Sequence, residues 1–293
     1  MDPREVEAGQ REGPLAIVCG GGSVPMAVAD AVTKRGRPVV LFALRGIADP
    51  VSIARYPHCW VALGRYNELV RGFRKEGCHD VVFIGSVIRP ALRQLRFDLG
   101  TLRVLPKLIA MFRGGDNHLL SALVRHFEDD GFRVIGAHEV ASELLMPVGL
   151  LGGCAPSDRD RADIARGLAL IAAIGPFDVG QAAVVADNHV LAVEAIEGTD
   201  QMLTRIAELR RLGRIHAPTG RGVMIKAPKP GQETRIDLPS IGPQTIEGVA
   251  RAGLAGLAVV AGQTIVAGAA TIGQRADRAG LFVVGVRADG SSR

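Results

Sequence analysis

Residues 14–25 read PLAIVCGGGSVP, an apolar run that passes into three glycines, a serine, a valine and a proline. The run Leu15–Cys19 has the length and composition of a buried strand. Pro25 stands where a helix begins, because proline is favoured in the first turn of a helix. Glycines between the two allow the backbone to approach a ligand closely. The stretch therefore predicts a strand, a tight turn and a helix, the first unit of an alternating α/β fold.

The same alternation continues through the first half of the chain. Apolar runs that predict further strands are Pro38–Ala43, Asp80–Gly85 and Phe132–Gly136. Segments with helical spacing are Pro25–Lys34, Asn67–Glu76, Pro90–Leu99, Thr101–Phe112 and Asn117–Asp130. Strands that are joined through helices run parallel, with right-handed crossovers. Residues 14–146 are therefore predicted to form a Rossmann-like domain with a parallel sheet.

The order of predicted strands and helices changes after residue 156, beyond a stretch rich in glycine and proline. Glycine and proline concentrate in residues 147–156 (PVGLLGGCAP), which we predict to be a hinge between two domains. In residues 157–288, Ser157 and Thr199 are expected to cap helices. Two hairpins are predicted, Ala182–Ala186 with Val190–Glu194 and Leu257–Val260 with Thr264–Ala267. The second domain is therefore predicted to be α/β with a mixed sheet.

Composition limits the class of protein. With 293 residues, 47% hydrophobic and 22% charged, the chain is neither disordered nor collagen-like. Mean hydropathy is positive, at +0.21, yet no run of about 18 uncharged apolar residues occurs that would span a bilayer. Residues 1–13 are charged and lack an apolar signal core, so we expect a cytoplasmic protein. The four cysteines are widely spaced and are expected to be reduced thiols.

Net charge is +5, which suits an anionic ligand, nucleic acid or an acidic membrane surface. A protein with many surface arginines and no such partner explains the same excess. Basic and apolar residues interleave between Arg89 and Arg113. This pattern is typical of a helix pair resting on an anionic membrane or bordering an acyl-chain groove, and also of an ordinary amphipathic pair that covers a sheet.

The turn after the first strand consists of Gly20, Gly21, Gly22 and Ser23. Because backbone N–H groups at a helix N-terminus favour phosphate, this turn is a candidate phosphate or nucleotide site, or else only a tight structural turn. A dinucleotide fingerprint would need a glycine near position 25 and an acidic residue after the second strand. The chain has Pro25 and Arg45 there, which disfavours NAD and leaves NADP open.

Two polar stretches of the second domain are candidates for chemistry. The first runs from Asp178 and Gln181, through a predicted hairpin, to Glu194, Glu197, Gly198, Thr199 and Asp200. Its carboxylates at 194, 197 and 200 lie at a strand end and a helix start, where they could converge. Alternatively, Thr199 and Asp200 only cap the helix.

The second stretch is KAPKPGQETRIDLPSIGP, residues 226–243. Lys226 and Lys229 can hold phosphate oxygens, and Asp237 can hold Mg²⁺ or orient water. A solvated surface loop would explain these charges but not the stiffening prolines. Walker A, G-x-S-x-G and H-E-x-x-H motifs are absent, and no histidines pair at metal-ligand spacing. Any metal is therefore expected to be a hard cation held by carboxylates and phosphate oxygens.

The chain resembles a known family in five motifs: GGGSVP at 20–25, DVGQ at 178–181, AVEAIEGTD at 192–200, the stretch at 226–243, and ARAGLAGLAVVAG at 250–262. The family is the UDP-2,3-diacylglucosamine pyrophosphatases of lipid A biosynthesis in Gram-negative bacteria. The resemblance is to the two-domain type found in alphaproteobacteria, not to the calcineurin-like type, and covers roughly Pro14 to Val286. It implies hydrolysis of UDP-2,3-diacylglucosamine to 2,3-diacylglucosamine 1-phosphate (lipid X) and UMP, with a divalent cation such as Mg²⁺ and attack on the sugar-side phosphorus.

The resemblance also implies that an aspartate of the second domain is needed for activity, and Asp237 is the matching position. The roles of the residues are a hypothesis drawn from the two polar stretches: Asp237, Lys226 and Lys229 are expected to be catalytic, and Asp237 and Glu194 to bind the metal. Glu197 or Asp200 could assist Asp237 in place of Glu194. Expected substrate-binding residues are Gly20, Gly21, Gly22, Ser23, Asp178, Gln181, Glu197, Gly198, Thr199 and Asp200.

A homodimer and peripheral contact with the inner membrane are compatible with this interpretation, and no nucleic-acid partner is expected. Two alternative functions belong to other classes of protein. One is an NAD(P)-dependent oxidoreductase that uses the glycine turn. The other is a nucleotide- or lipid-binding module without catalytic activity.

Overall fold

The structure is a computed structural model that describes residues 13–87 and 116–291. These divide into two units, which are described separately: residues 13–87 with 121–140, and residues 116–120 with 141–291. The predicted helices at 90–99 and 101–112 and the basic stretch Arg89–Arg113 lie outside the described residues. No helix in the described part of the chain is long and apolar enough to cross a membrane.

The first unit contains a five-stranded parallel sheet. Its strands are β1 (Leu15–Cys19), β2 (Val39–Leu44), β3 (His58–Val61), β4 (Asp80–Ile84) and β5 (Arg133–Val134). The strand order is β3-β2-β1-β4-β5, and all pairs are parallel. This order reverses between β1 and β4, the position at which open α/β sheets form a ligand crevice. The Rossmann-like prediction for this half of the chain is confirmed.

The helices of this unit are α1 (Val24–Lys34), α2 (Pro50–Ile53), α3 (Tyr66–Lys75), α4 (Asp116–Asp129), of which residues 121–129 belong to this unit, and α5 (Ala137–Val140). At the amino end of β4, the buried carboxylate of Asp80 accepts hydrogen bonds from Arg37 and Arg133 at 2.7 Å. Burial raises the pKa of Asp80, but the two guanidinium groups outweigh that effect and hold the pKa below its usual value. The ionised carboxylate therefore stabilises this end of the sheet.

The second unit contains a six-stranded mixed sheet. In chain order its strands are β6 (Gly149–Leu150), β7 (Ala182–Ala186), β8 (His189–Val193), β9 (Val223–Lys226), β11 (Gly256–Val260) and β13 (Phe282–Val286). The order is β6-β13-β11-β9-β7-β8, with β9, β11 and β13 parallel and the other three strands antiparallel to their neighbours. A mixed sheet is what the sequence predicts for this half.

Four helices belong to this unit: α6 (Asp158–Ile174), α7 (Gly198–Arg211), α8 (Pro243–Arg251) and α9 (Ala269–Ala279). Ser157 caps α6 as predicted, because its Oγ accepts a hydrogen bond from the Asp160 N–H at 3.3 Å. Residues 149–150, within the stretch predicted to be a hinge, form β6 and pair with β13. That part of the stretch is therefore hydrogen-bonded to the second sheet.

The first predicted hairpin, β7 with β8, is confirmed. Its turn residues Asp187 and Asn188 both have positive φ angles, 48° and 63°. Such angles are typical of the tight turns that match the twist of a hairpin. Asp163 on α6, only 3% exposed, accepts hydrogen bonds from the N–H groups of Asp187 at 3.0 Å and Asn188 at 2.7 Å. One buried carboxylate thus fastens the turn to the helix.

The second predicted hairpin, across Gly262, is wrong. Strand β11 pairs with β9 and β13, whereas β12 (Ile265–Val266) pairs in parallel with β10 (Ser240–Ile241) in a separate two-stranded sheet. The physical reason is a third chain segment at the turn. The Met146 N–H donates to the Thr264 carbonyl, and the Gly262 N–H donates to the Met146 carbonyl, both at 2.8 Å. Gly262 and Thr264 are thus partnered by Met146, and Ile265–Val266 by β10, so no ladder forms with β11.

Candidate active site

Lys226 is the last residue of β9, at the carboxyl end of the central strands of the second sheet. The residue is only 7% exposed. Its ammonium donates hydrogen bonds to the Thr199 hydroxyl and to the Ser240 carbonyl, each at 3.1 Å. A buried ammonium needs such partners because burial disfavours an unpaired charge. The sheet thus presents one positive charge at a fixed position.

Thr199 does not cap α7, contrary to the expectation from sequence. The N-cap position belongs to Glu197, and the Thr199 hydroxyl donates to Oε1 of Glu194 at 2.6 Å. Glu194 follows β8 and is 7% exposed. Its other oxygen accepts a hydrogen bond from the Gln181 N–H at 3.0 Å. The carboxylate therefore links the start of β7 to the start of α7.

The segment before β7 reaches the same place. A Cβ at Gly180 would lie 2.2 Å from the Glu194 carbonyl oxygen, so this close approach requires glycine. Asp178 has a positive φ of 54°, and its carboxylate accepts a hydrogen bond from the ammonium of Lys229. The side chains of Lys229 and Asp178 are only 10% and 19% exposed. They form an ion pair that is largely shielded from water.

Asp237 and Gln232 complete the cluster. The Gln232 amide donates to the backbone carbonyl of Asp237 and, at 3.3 Å, to Oε1 of Gln181. Its own Oε1 accepts a hydrogen bond from the Lys229 N–H at 2.7 Å. The sequence does not single out Gln232, because an uncharged amide has no distinctive signal there. The only available hint was its place inside the charged 226–243 loop.

Burial raises the pKa of the Asp237 carboxyl above its usual value. Lys229, a hydrogen bond from Gln232 and Lys226 act in the opposite direction, without cancelling the effect of burial, and Asp178 adds to the increase. Carboxyls whose pKa is shifted by burial and by neighbouring charges are frequent in catalytic sites, where they can transfer protons. The cluster can therefore bind an anion and move a proton in one place.

The structure brings together most of the expected residues of the second domain. They are Asp178, Gln181, Glu194, Thr199, Lys226, Lys229 and Asp237. Glu197 instead forms an ion pair with Arg205 at 2.9 Å, and Asp200 is exposed in the first turn of α7. Gly198 has a positive φ of 77° with open space where a side chain would be. The three carboxylates at 194, 197 and 200 thus have different surroundings.

The glycine turn belongs to the first unit. The Gly20 N–H donates to the Ile84 carbonyl at 2.9 Å, and Gly21 exchanges two backbone hydrogen bonds with Ser86. A Cβ at Gly20 would lie 2.6 Å from the Ser86 carbonyl oxygen, so this glycine is required for packing. Gly22 and Ser23 are exposed before α1, and the Ser23 side chain makes no capping hydrogen bond. Ligand binding by this turn stays a prediction that concerns Gly22 and Ser23 above all.

The resemblance implies a divalent cation. In the part of the chain that the structure describes, no group of three or more His, Cys, Asp or Glu side chains is placed to hold a metal ion. The donor type at Asp237 nevertheless fits Mg²⁺, which binds through one or two carboxylates and completes its shell with water and substrate phosphate. Glu194 already accepts two hydrogen bonds, so Asp237 is the better-placed ligand of the predicted pair.

Both halves of the chain match models of known protein families. The model of the LpxI N-terminal domain matches residues 14–144, and that of the LpxI C-terminal domain matches residues 147–284. The chain belongs to the LpxI family. Among curated relatives, the UDP-2,3-diacylglucosamine pyrophosphatase LpxI of Caulobacter vibrioides is 45% identical over 272 residues, covering 93% of this chain and 97% of the relative. The family resemblance seen in the five motifs is thus confirmed, and the cluster around Asp237 lies within the LpxI C-terminal domain.

Proposed function

We propose that this protein hydrolyses the pyrophosphate bond of UDP-2,3-diacylglucosamine to give UMP and 2,3-diacylglucosamine 1-phosphate. The observation that carries the proposal is the hydrogen-bonded cluster at the carboxyl end of β9. Thr199 and Ser240 hold the Lys226 ammonium there, and Gln232 links the backbone of Lys229 to that of Asp237. The name and identity of the Caulobacter relative support the choice of substrate.

In this reaction the oxygen of a water molecule forms a bond to one phosphorus, and the bond between that phosphorus and the bridging oxygen breaks. The water loses a proton, and negative charge grows on the bridging oxygen of the leaving phosphate. Phosphoryl transfer demands mainly positioning and neutralisation of charge. Lys226 and Lys229 would neutralise the diphosphate, while Asp237, once ionised, would orient the water and accept its proton.

Mg²⁺, held by Asp237 together with water and substrate phosphate, would polarise phosphoryl oxygens when bound. Asp178 has a separate task in the proposed mechanism. By pairing with Lys229 it holds that ammonium in the cluster, so the lysine does not turn toward solvent before substrate arrives. We further propose that water attacks the sugar-side phosphorus.

The proposal is tested by incubating the purified protein with UDP-2,3-diacylglucosamine and Mg²⁺ and measuring UMP. We expect release of UMP that stops when the metal is chelated. Asp237→Asn should lower the rate by about 100-fold or more, the usual scale for loss of a positioned acid–base group. The matched control Asp158→Asn changes an exposed aspartate in the first turn of α6 and should stay within about twofold of wild type. Wild-type protein that releases no UMP would refute the proposed activity, and a fully active Asp237→Asn would refute the role of Asp237.

The site of attack is tested separately in water enriched in ¹⁸O. Attack on the sugar-side phosphorus places the label in 2,3-diacylglucosamine 1-phosphate and leaves UMP unlabelled. Mass spectra of the two products distinguish the outcomes in a single-turnover reaction. Label in UMP would contradict the proposed site of attack while leaving the overall activity intact.

A further inference from the structure

The hydrogen bonds around Thr199 form a chain with one possible direction. An ammonium group has only donors, and an ionised carboxylate has only acceptors. The Thr199 hydroxyl lies between the two, 3.1 Å from Nζ of Lys226 and 2.6 Å from Oε1 of Glu194. Its single proton must therefore point to Glu194, and one of its lone pairs must accept from Lys226.

Glu194 fixes this direction. Both of its oxygens accept hydrogen bonds, one from the Thr199 hydroxyl and one from the Gln181 N–H. With the residue only 7% exposed, water has little access to replace either bond. Hydrogen bonds to a buried charge are stronger than those between neutral groups. The Thr199 oxygen is thus held with its lone pair toward the lysine.

The ammonium of Lys226 has a second anchor. It also donates to the Ser240 carbonyl at 3.1 Å, at the start of β10. An ammonium has three N–H groups, so these two bonds define the direction of the third. Ser240 follows Asp237 closely in the chain, so this bond joins the two ends of the loop that carries Asp237. The third N–H is available for an anion bound in the cluster.

We propose that Thr199 is a positioning residue, which, together with Glu194 behind it, aims the Lys226 ammonium at a substrate phosphate. This inference rests on the proposed hydrolysis of a nucleotide diphosphate. It differs from the sequence-based expectation, in which Thr199 binds substrate and Glu194 binds metal. Thr199 acts through Lys226, and Glu194 acts through Thr199.

The first test compares Thr199→Val with Thr199→Ser. Valine keeps the shape but cannot accept from Lys226, whereas serine keeps the hydroxyl. A small misplacement of a charged group in a phosphoryl-transfer site can lower the rate by up to about 100-fold. We expect Thr199→Val to lower kcat at least about tenfold with KM within about twofold of wild type, and Thr199→Ser to stay within about threefold of wild-type kcat.

Thr204→Val is the matched control. Thr204 lies on the same helix, and its hydroxyl donates to the Asp200 carbonyl at 2.9 Å on an exposed face. The same substitution there should leave kcat unchanged. Equal kcat values for Thr199→Val and Thr204→Val would overturn the proposal, as would an equal loss of kcat in Thr199→Val and Thr199→Ser.

Glu194→Gln tests the second link and serves if Thr199→Val does not fold. The Thr199 hydroxyl and the Gln181 N–H face different oxygens of Glu194, and a glutamine places an NH₂ donor at one of the two positions, so it cannot accept from both. We expect a lower kcat in a variant that is still folded at the assay temperature, and no further loss when the change is added to Thr199→Val, since both act through one ammonium. Unchanged kcat in Glu194→Gln, or additive losses in the double variant, would overturn the proposed chain. Wild-type protein without hydrolysis would instead refute the proposed function.

Discussion

Replacement of Lys229 by methionine tests the electrostatics of the cluster. Methionine keeps much of the length of the side chain and removes its charge. The ion pair with Asp178 is lost, and so is one of the two lysine charges that oppose the raised pKa of Asp237. The substitution should therefore change both stability and the pH dependence of activity.

The loss of stability follows from exposure. Removing one partner of a buried ion pair costs about 3–5 kcal/mol, whereas an exposed pair contributes about 0–1 kcal/mol. Lys229 is 10% exposed, but Asp178 is 19% exposed and can partly rehydrate, so we expect a loss of about 2–3 kcal/mol. For domains of 150–250 residues this corresponds to a decrease in Tm of roughly 5–10 °C.

The pH dependence changes because the Lys229 charge also acts on the Asp237 carboxyl. Without Lys229 the Asp237 carboxyl is harder to ionise, so its pKa rises further. Activity that needs the ionised carboxylate is lost as pH falls through that pKa. The acid limb of the kcat/KM profile should therefore move to higher pH, in addition to a lower maximum from the loss of a phosphate-binding charge.

Calorimetry and a pH series of UMP release measure the two effects. Lys75→Met is the control, because Lys75 is 83% exposed and lies 3.9 Å from Glu76 in a surface pair. It should change stability by less than about 1 kcal/mol. Combining Lys229→Met with Asp178→Asn should recover part of the stability, since no carboxylate is then left unpaired. A Lys229→Met protein with wild-type Tm and an unmoved acid limb would refute this account of the cluster.

Three further predictions concern single carboxylates. Asp163→Ala should lower the free energy of unfolding, measured in urea, by about 2–3 kcal/mol. Two charge-assisted hydrogen bonds to the turn are lost, although water can partly solvate the turn afterwards. A loss below about 1 kcal/mol would contradict this role of Asp163. The lowered pKa of Asp80 contributes stability that is fully present above the pKa of an unfolded aspartate and is lost as pH falls through the pKa of the folded state. When the pH is lowered below about 4, the urea concentration at the unfolding midpoint should therefore decrease in wild type, and should decrease less in Asp80→Asn. The raised pKa of Asp237 means that ionisation of this carboxyl destabilises the folded protein as pH rises. Asp237→Asn should therefore melt at a higher temperature than wild type at neutral pH. Equal melting temperatures would show that burial does not disfavour the Asp237 carboxylate.

The sequence predicts the strands of this protein well where apolar runs are bounded by turn residues. Leu15–Cys19 and Ala182–Ala186 are found with the predicted bounds, because each run is short, continuous and followed by glycine, aspartate or asparagine. It fails at β12, whose partner strand β10 lies more than 20 residues earlier in the chain. Apolar character identifies Ile265–Val266 as a strand. Which strand it pairs with depends on Met146, a residue distant in the sequence whose backbone bonds to Gly262 and Thr264.

In the candidate site, too, local sequence predicts some features and distant contacts determine the others. Lys226, Lys229 and Asp237 stand out because a solvated surface loop would explain their charges but not the prolines that stiffen the loop. The role of Thr199 was hidden, since a threonine at the start of a helix normally predicts a cap. Only the fold reveals that Lys226 and Glu194 lie on either side of its hydroxyl. Local patterns identified the charged groups, and long-range contacts determined which of them act together.

The cluster around Asp237 is fastened to the middle of its sheet. The Ala227 N–H donates to the Gln181 carbonyl at 2.9 Å, where β9 ends and β7 begins, and the Gln181 N–H is bonded to Glu194. Slow hydrogen exchange is characteristic of amides that open only when central strands separate. These two amides should therefore exchange with D₂O as slowly as the core of β7 and β9. A binding site with so little local opening is complete only after the whole second sheet has formed, so partly folded chains would have no residual affinity for the diphosphate.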